Sequence, residues 1–135
     1  MSELFPFNHA GNFTIGKPGA GSRQLKLFLT VPQGSSKVTG HGVLFQATNP
    51  PLHIESTFHG TVHALNGKQV YALQGVGVPP IPGAPHVADV LITLDQVWGK
   101  EGKASYRYVV GSHFEEAVDQ PVSVQWLLQN GERAA

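Results

Sequence analysis

The chain has 135 residues, 41% of them hydrophobic and 13% charged, with nine Lys plus Arg balanced by nine Asp plus Glu. That length suits one domain around one core, and a charge fraction well below the roughly 25% usual in soluble domains argues against a disordered chain. The balanced charge leaves no field to draw the protein onto nucleic acid or an anionic membrane, and the absence of cysteine excludes disulfides, thiolate zinc sites and cysteine nucleophiles.

Residues 1–7 lack the basic and apolar regions of a signal peptide, so a cytoplasmic location is expected, with leaderless export left open. No apolar run approaches the ~18 residues of a spanning helix, so no membrane span is expected. The segment 1–11 reads as irregular. Beyond it, Gly and Pro punctuate runs of period-two alternation rich in β-branched and aromatic residues, the pattern of an antiparallel all-β domain. Strands are expected at 12–16, 24–31, 37–48, 53–65, 68–78, 86–98, 103–114 and 122–129, with a tail at 130–135. No segment offers a helical face beyond a single turn at 114–118.

The turns set the register. Asn66-Gly67 is a type I′ hairpin signal and pairs Leu65 with Lys68, His63 with Val70, Val62 with Tyr71, Thr61 with Ala72 and His59 with Gln74. A five-residue loop from Gly99 to Lys103 would set Trp98 opposite Ala104 and Leu94 opposite Tyr108. Further turns are expected at 31–37 and 49–51, and the four-proline segment 79–85 reads as a stiff, partly apolar loop suited to a spacer or a contact surface. Short connections between neighbours imply about eight antiparallel strands in an up-and-down meander, closed or nearly closed as a β-barrel, with a two-sheet sandwich as the alternative.

The core is expected from Leu25, Leu27, Leu29, Val31, Val90, Ile92, Leu94, Trp98, Tyr106, Tyr108 and Val110, completed by Val122, Val124, Trp126 and Leu128. Each full burial contributes on the order of 1.5 to 3 kcal/mol. These four strands are scaffold.

The strand with the most unusual composition is 53–63, whose odd positions place His53, Glu55, Thr57, His59, Thr61 and His63 on one face. Neighbours on a strand face stand roughly 6.5 to 7 Å apart, so His53 and Glu55 are within reach of one ion, but His59 and His63, about 13 Å apart, are not. The three histidines therefore do not chelate as a trio, and neither a metal nor a cofactor is assigned. The ordinary reading of such a face is a solvated one. Against it, the Asn66-Gly67 register adds Val70, Ala72, Gln74, Val76 and Val78 to the same side, a mixed surface closer to a pocket lining. His41, flanked by Gly40 and Gly42 on the preceding strand, is placed either on that surface or at a bulge. The candidate ligand or partner surface is thus His41, His53, Glu55, His59, His63, Tyr71 and Gln74. Should it line a barrel mouth, imidazoles would make binding pH-sensitive.

Other chemistry is weaker. Asp89, Thr93 and Asp95 read as an outer face, and Arg107 as a surface cation pairing with a carboxylate such as Asp95. Ser112, His113 and Glu115-Glu116 are adjacent in sequence, which is not triad geometry, and no Gly-x-Ser-x-Gly elbow is present. Residues 16–22 contain glycines and a lysine but lack the ordered Gly-Lys-Ser/Thr ending and a following helix, so nucleotide binding is not expected.

Gly19-Ala20-Gly21, Ala47-Thr48-Asn49-Pro50-Pro51-Leu52 and Gly102-Lys103-Ala104-Ser105-Tyr106-Arg107-Tyr108 together resemble a small bacterial all-β family known as domain of unknown function 1842. The resemblance spans about the middle two-thirds of the chain and implies no activity, cofactor or catalytic residue. Three functions remain in view. The preferred one is a non-catalytic binding protein contacting a small ligand, glycan or protein through the histidine face and the Pro-rich loop. The others are a barrel enzyme, an isomerase or hydrolase using His59 with Glu55 as acid and base, and a self-associating structural subunit.

Overall fold

The computed structural model describes residues 8–129 and 132–133, with side chains through Leu128. The strands are β1 (His9–Ile15), β2 (Gln24–Val31), β3 (Lys37–Gln46), β4 (Leu52–Leu65), β5 (Lys68–Gly77), β6 (His86–Leu94), β7 (Glu101–Val110), β8 (His113–Gln129) and the short β9 (Glu132–Arg133). Each pairs antiparallel with the next, and β1 pairs with β8, which closes the first eight into an up-and-down barrel. Closure satisfies the outer ladders of β1 and β8 along most of their shared length and decides against the sandwich. β9 adds a two-residue ladder to the end of β8.

The Asn66-Gly67 turn sets the register expected of it. Leu65 pairs with Lys68, His63 with Val70, Val62 with Tyr71, Thr61 with Ala72 and His59 with Gln74, while Asn66 and Gly67 take positive φ of 53° and 77°. The β6–β7 connection differs from expectation. Leu94 pairs with Gly102 and Ile92 with Ala104, so the loop spans 95–100 and the proposed Trp98–Ala104 and Leu94–Tyr108 pairs do not form. Trp98, at φ 62°, leaves the strand and packs half-buried over the barrel end.

Three further boundaries differ from expectation. β1 begins at His9, inside the segment expected to be irregular, because His9, Gly11, Phe13 and Ile15 already alternate inward. The helical turn placed at 114–118 is strand: the chain reverses at Gly111-Ser112, with Gly111 at φ 62°, and β8 runs on for 17 residues from His113. The tail placed at 130–135 contains β9, and its other residues lie outside those described.

Even positions of β3, β4 and β7, and odd positions of β1, β2 and β5, face the lumen, where Phe13, Leu25, Leu44, Phe58, Val62, Tyr71, Leu73, Ile92, Tyr106 and Trp126 are buried. All eight strands feed this core, not only the four richest in apolar residues. The inward parity of β5 is odd, which is why Tyr71 belongs to the core. Large side chains fill the lumen as they do in small barrels generally.

Small residues are required where the sheet coils tightly. A Cβ on Gly60 would sit 1.9 Å from the Ala72 carbonyl oxygen, and one on Gly40 would sit 2.0 Å from that of Phe28. Both are inward positions where neighbouring backbone passes too close for any side chain.

The ladder between β5 and β6 ends at Gln74–Asp89, and β6 shifts register between Val87 and Asp89. The Val87 N–H freed there donates to Ser56 Oγ at 2.9 Å inside the barrel. Ser56→Ala strands that buried donor, and urea denaturation should record a loss of about 1 to 3 kcal/mol. Ser56→Thr, which keeps the hydroxyl, should lose less; equal stability of the wild type and Ser56→Ala would refute the role.

Candidate functional site

The barrel has two ends. One carries the start of β1, the 66–67 turn and the 95–100 loop; the other carries the 16–23 loop, the Pro-rich 78–85 loop and the 111–112 turn. At the first end His9 lies 2% exposed inside the wall. Its Nε2 is 3.1 Å from the Tyr71 hydroxyl, which accepts the Gln69 amide at 2.7 Å. Gln69 Oε1 in turn accepts the Trp98 backbone N–H at 2.8 Å. The His9 ring also meets Trp98 edge-on at 4.9 Å. Burial pushes the His9 pKa down to about 4 and the Tyr71 phenol up, so the imidazole is neutral in the fold. Trp126 Nε1 donates to the Gly99 carbonyl at 3.0 Å and ties the loop over this end.

At the opposite end Arg23 lies 5.3 Å from the Tyr108 ring centroid, and burial pushes the neighbouring Tyr106 hydroxyl up to about 12. Both ends are therefore sealed by aromatic side chains with polar partners.

The histidine face points outward. His53, Glu55, Thr57, His59, Thr61 and His63 are all exposed, opposite the buried Ile54, Ser56, Phe58 and Val62. His53 Nε2 lies 3.4 Å from Glu55 Oε2 in solvent. His59 stands four residues from Glu55 along the strand, about 13 Å away, and the two do not meet. The structure brings His59 beside Gln74 and Thr39, His41 beside Thr57 and Phe28, and His63 beside Val70. His41 sits in a strand that pairs on both sides without a register shift, so it is not at a bulge. Tyr71 does not belong with these residues: paired with Val62, it is fully buried, on the far side of the sheet from His59 and Gln74.

Register joins these residues to others whose link the sequence did not reveal. Thr30, Thr39, His59, Gln74, Asp89, Arg107 and Glu116 pair in turn from β2 to β8, an outer row about 4.8 Å per step. Thr30 and Thr39 hydroxyls are 3.2 Å apart. Arg107 holds Asp89 through two guanidinium nitrogens, with Nε at 3.0 Å from Oδ2. Its partner is Asp89, not the Asp95 suggested by sequence, because the β6–β7 register sets Asp89 directly across. That carboxylate, with Glu116 beyond it, holds the guanidinium charged.

Beside this row the outer surface sinks into a depression of about 570 Å³ lined by Thr61, Ala72, Gln74, Asp89, Leu91 and Arg107. Among its lining residues the small Ala72 stands between Thr61 and Leu91 in register. Gln74, Asp89 and Arg107 form a polar wall, and Leu91, 51% exposed, an apolar one. His41 borders a smaller depression of about 270 Å³ with Asn12, Lys26 and Phe28. The alternation that placed Ala72 and Gln74 beside the histidines was visible in sequence; the contribution of Asp89, Leu91 and Arg107 required the β5–β6–β7 register.

These features define a class: a meandering eight-stranded barrel with a filled lumen and a polar ladder on its outer wall. The family Domain of unknown function (DUF1842) matches over residues 7–114, well over half the chain, and the protein belongs to that family. The matched span covers β1 to β7 and the turn into β8. Comparison with curated proteins returned no match.

Proposed function

We propose that this protein is a non-catalytic binding protein that holds a hydroxyl-rich ligand of glycan type on its outer wall. The observation that carries this reading is the depression over Ala72, where an amide, a carboxylate, a guanidinium and a hydroxyl converge beside the apolar edge of Leu91. A sugar presents the matching surface, with hydroxyls that donate and accept along its rim and C–H groups that pack on leucine. Gln74 supplies both a donor and an acceptor, Thr61 a hydroxyl, and Asp89 an acceptor whose position Arg107 fixes. His59, next to Gln74 in the same row, extends the polar surface toward β3. The filled lumen directs binding to the outer wall, and the separation of His59 from Glu55 speaks against acid–base catalysis by that pair.

Isothermal titration with neutral, amino and acidic oligosaccharides tests the proposal. Saturable binding is expected for at least one class, with Gln74→Leu and Asp89→Leu each weakening it at least about tenfold, or about 1.4 kcal/mol. Binding unchanged in both variants, or no binding by any of the three classes, would refute it.

A further inference from the structure

The barrel closes over only part of β8. β1 ends at Ile15, which pairs with Val122, and Gly16 N–H adds a last bond to the Pro121 carbonyl. Residues 113–120 continue beyond that point with β7 on one side, and among the described residues no backbone partner on the other. The β7–β8 hairpin therefore projects past the end of β1 with an open edge.

Its turn fixes which groups face outward. Gly111-Ser112 is a two-residue connection closed by Val110 and His113, and such a closing pair exchanges both of its hydrogen bonds. Alternation then directs the backbone of His113 and Glu115 into β7 and that of Phe114 and Glu116 outward. The Val118 carbonyl is taken by Gln120 Nε2 at 3.0 Å and the Asp119 N–H by Ser105 Oγ at 3.1 Å, so the accessible stretch ends there. Along it Phe114 is 68% and Val118 55% exposed, two residues on either side of Glu116.

From this edge we infer a docking site for an extended, basic segment of another protein, added to the sheet as a strand beside β8. The backbone groups of Phe114 and Glu116 require an extended chain as the occupant, since only a strand returns donor and acceptor at the same spacing. Phe114 and Val118 supply apolar contacts at alternate positions. Charge selects the kind of chain. Glu115, Glu116 and Asp119 are exposed, and the nearby Arg107 is already held by Asp89. A second copy pairing edge to edge would set these carboxylates against their own counterparts, which costs stability, whereas Lys or Arg alternating with apolar residues is complementary. Arg107 on the rim of the depression over Ala72 pairs with Glu116, but the groups used here are the outward backbone of β8, which does not line that depression, so occupancy of the edge does not depend on a glycan ligand.

The probe is a capped, fluorescent hexapeptide of alternating Lys and Val, titrated into the full chain by anisotropy, with a Glu–Val hexapeptide and a Lys–Val peptide N-methylated at alternate residues as controls. The Lys–Val peptide should bind and protect the Phe114 and Glu116 amides from hydrogen exchange. The Glu–Val and N-methylated peptides should bind at least about tenfold more weakly. Glu116→Pro removes the outward N–H together with one carboxylate and should weaken binding by at least the same factor with the far-UV spectrum retained, and by more than Glu116→Gln, which removes the charge alone; Glu116→Lys should weaken it through charge. The N-methylated control acts on the probe alone, so it decides the matter even if Glu116→Pro misfolds. Absence of Lys–Val binding, equal binding of the N-methylated peptide, protection elsewhere on the barrel, or dimerisation of the free chain abolished by Glu116→Pro would each overturn the inference.

Discussion

Gly60→Val is expected to prevent the native barrel from forming. A Cβ there would lie 1.9 Å from the Ala72 carbonyl oxygen and 2.8 Å from the Leu73 Cα, and both obstacles are backbone. No rotamer change relieves the overlap, so β4 and β5 must separate where they pair Gly60 with Leu73. Overpacking that flexible side chains absorb costs about 1 to 3 kcal/mol. Displacement of a central ladder should exceed that range, a large part of the 5 to 15 kcal/mol typical of a whole domain. Thermal and urea unfolding of Gly60→Val should show a lost or severely lowered transition. Gly67→Ala is the fitting control, since nothing lies within 4 Å of its Cβ and only the positive φ of 77° is strained. A cooperative transition in Gly60→Val within about 1 kcal/mol of wild type would contradict the packing described.

Acid should weaken the fold through His9. Its ordinary value of 6.5 falls to about 4 in the barrel because burial beside Tyr71, Trp98 and Trp126 penalises the cation. Between those values the unfolded chain binds a proton that the native state does not, so stability falls as pH drops from about 6.5 toward 4. Above the ordinary value there is no such penalty. The full shift corresponds to a loss on the order of 3 kcal/mol. Urea midpoints across that interval should show the decline in wild type, and His9→Phe, which fills the same aromatic niche without a titrating group, should flatten it. Tyr71 keeps its Gln69 hydrogen bond in that variant. An identical slope in the two proteins would remove His9 as the cause.

How much of this was legible in the sequence depended on how local the information was. The 66–67 hairpin was legible pair by pair, because a two-residue turn with positive φ at both positions leaves no freedom in register. The β6–β7 pairing was not, because Asp95 to Lys100 form an irregular loop in which Trp98 departs from the strand. Its alternation continues that of Leu94, yet its indole covers the barrel end. His9 was overlooked beside Gly11 and Asn12, although the spacing to Phe13 and Ile15 already placed it inward. The polar character of 53–63 was plain, and so was its common face. Its outward direction followed only from the partners on the other side of β4, since alternation alone does not say which face is lined by the core. For the same reason Tyr71 was grouped with the histidines on proximity, when its odd position beside Val62 put it in the lumen. Asp89 and Arg107 gained their place only once three strands were in register.

The central claim is that this barrel recognises its ligand on the outer wall rather than in its lumen. Two-dimensional ¹⁵N–¹H spectra recorded during titration with the best-binding oligosaccharide test it most directly. Shifts are expected at Thr61, Ala72, Gln74, Asp89, Leu91 and the Arg107 side chain, spreading to His59, with Phe58, Tyr71 and Tyr106 unmoved. Shifts centred on Phe58, Tyr71 and Tyr106 would instead place the ligand inside the barrel and contradict the account.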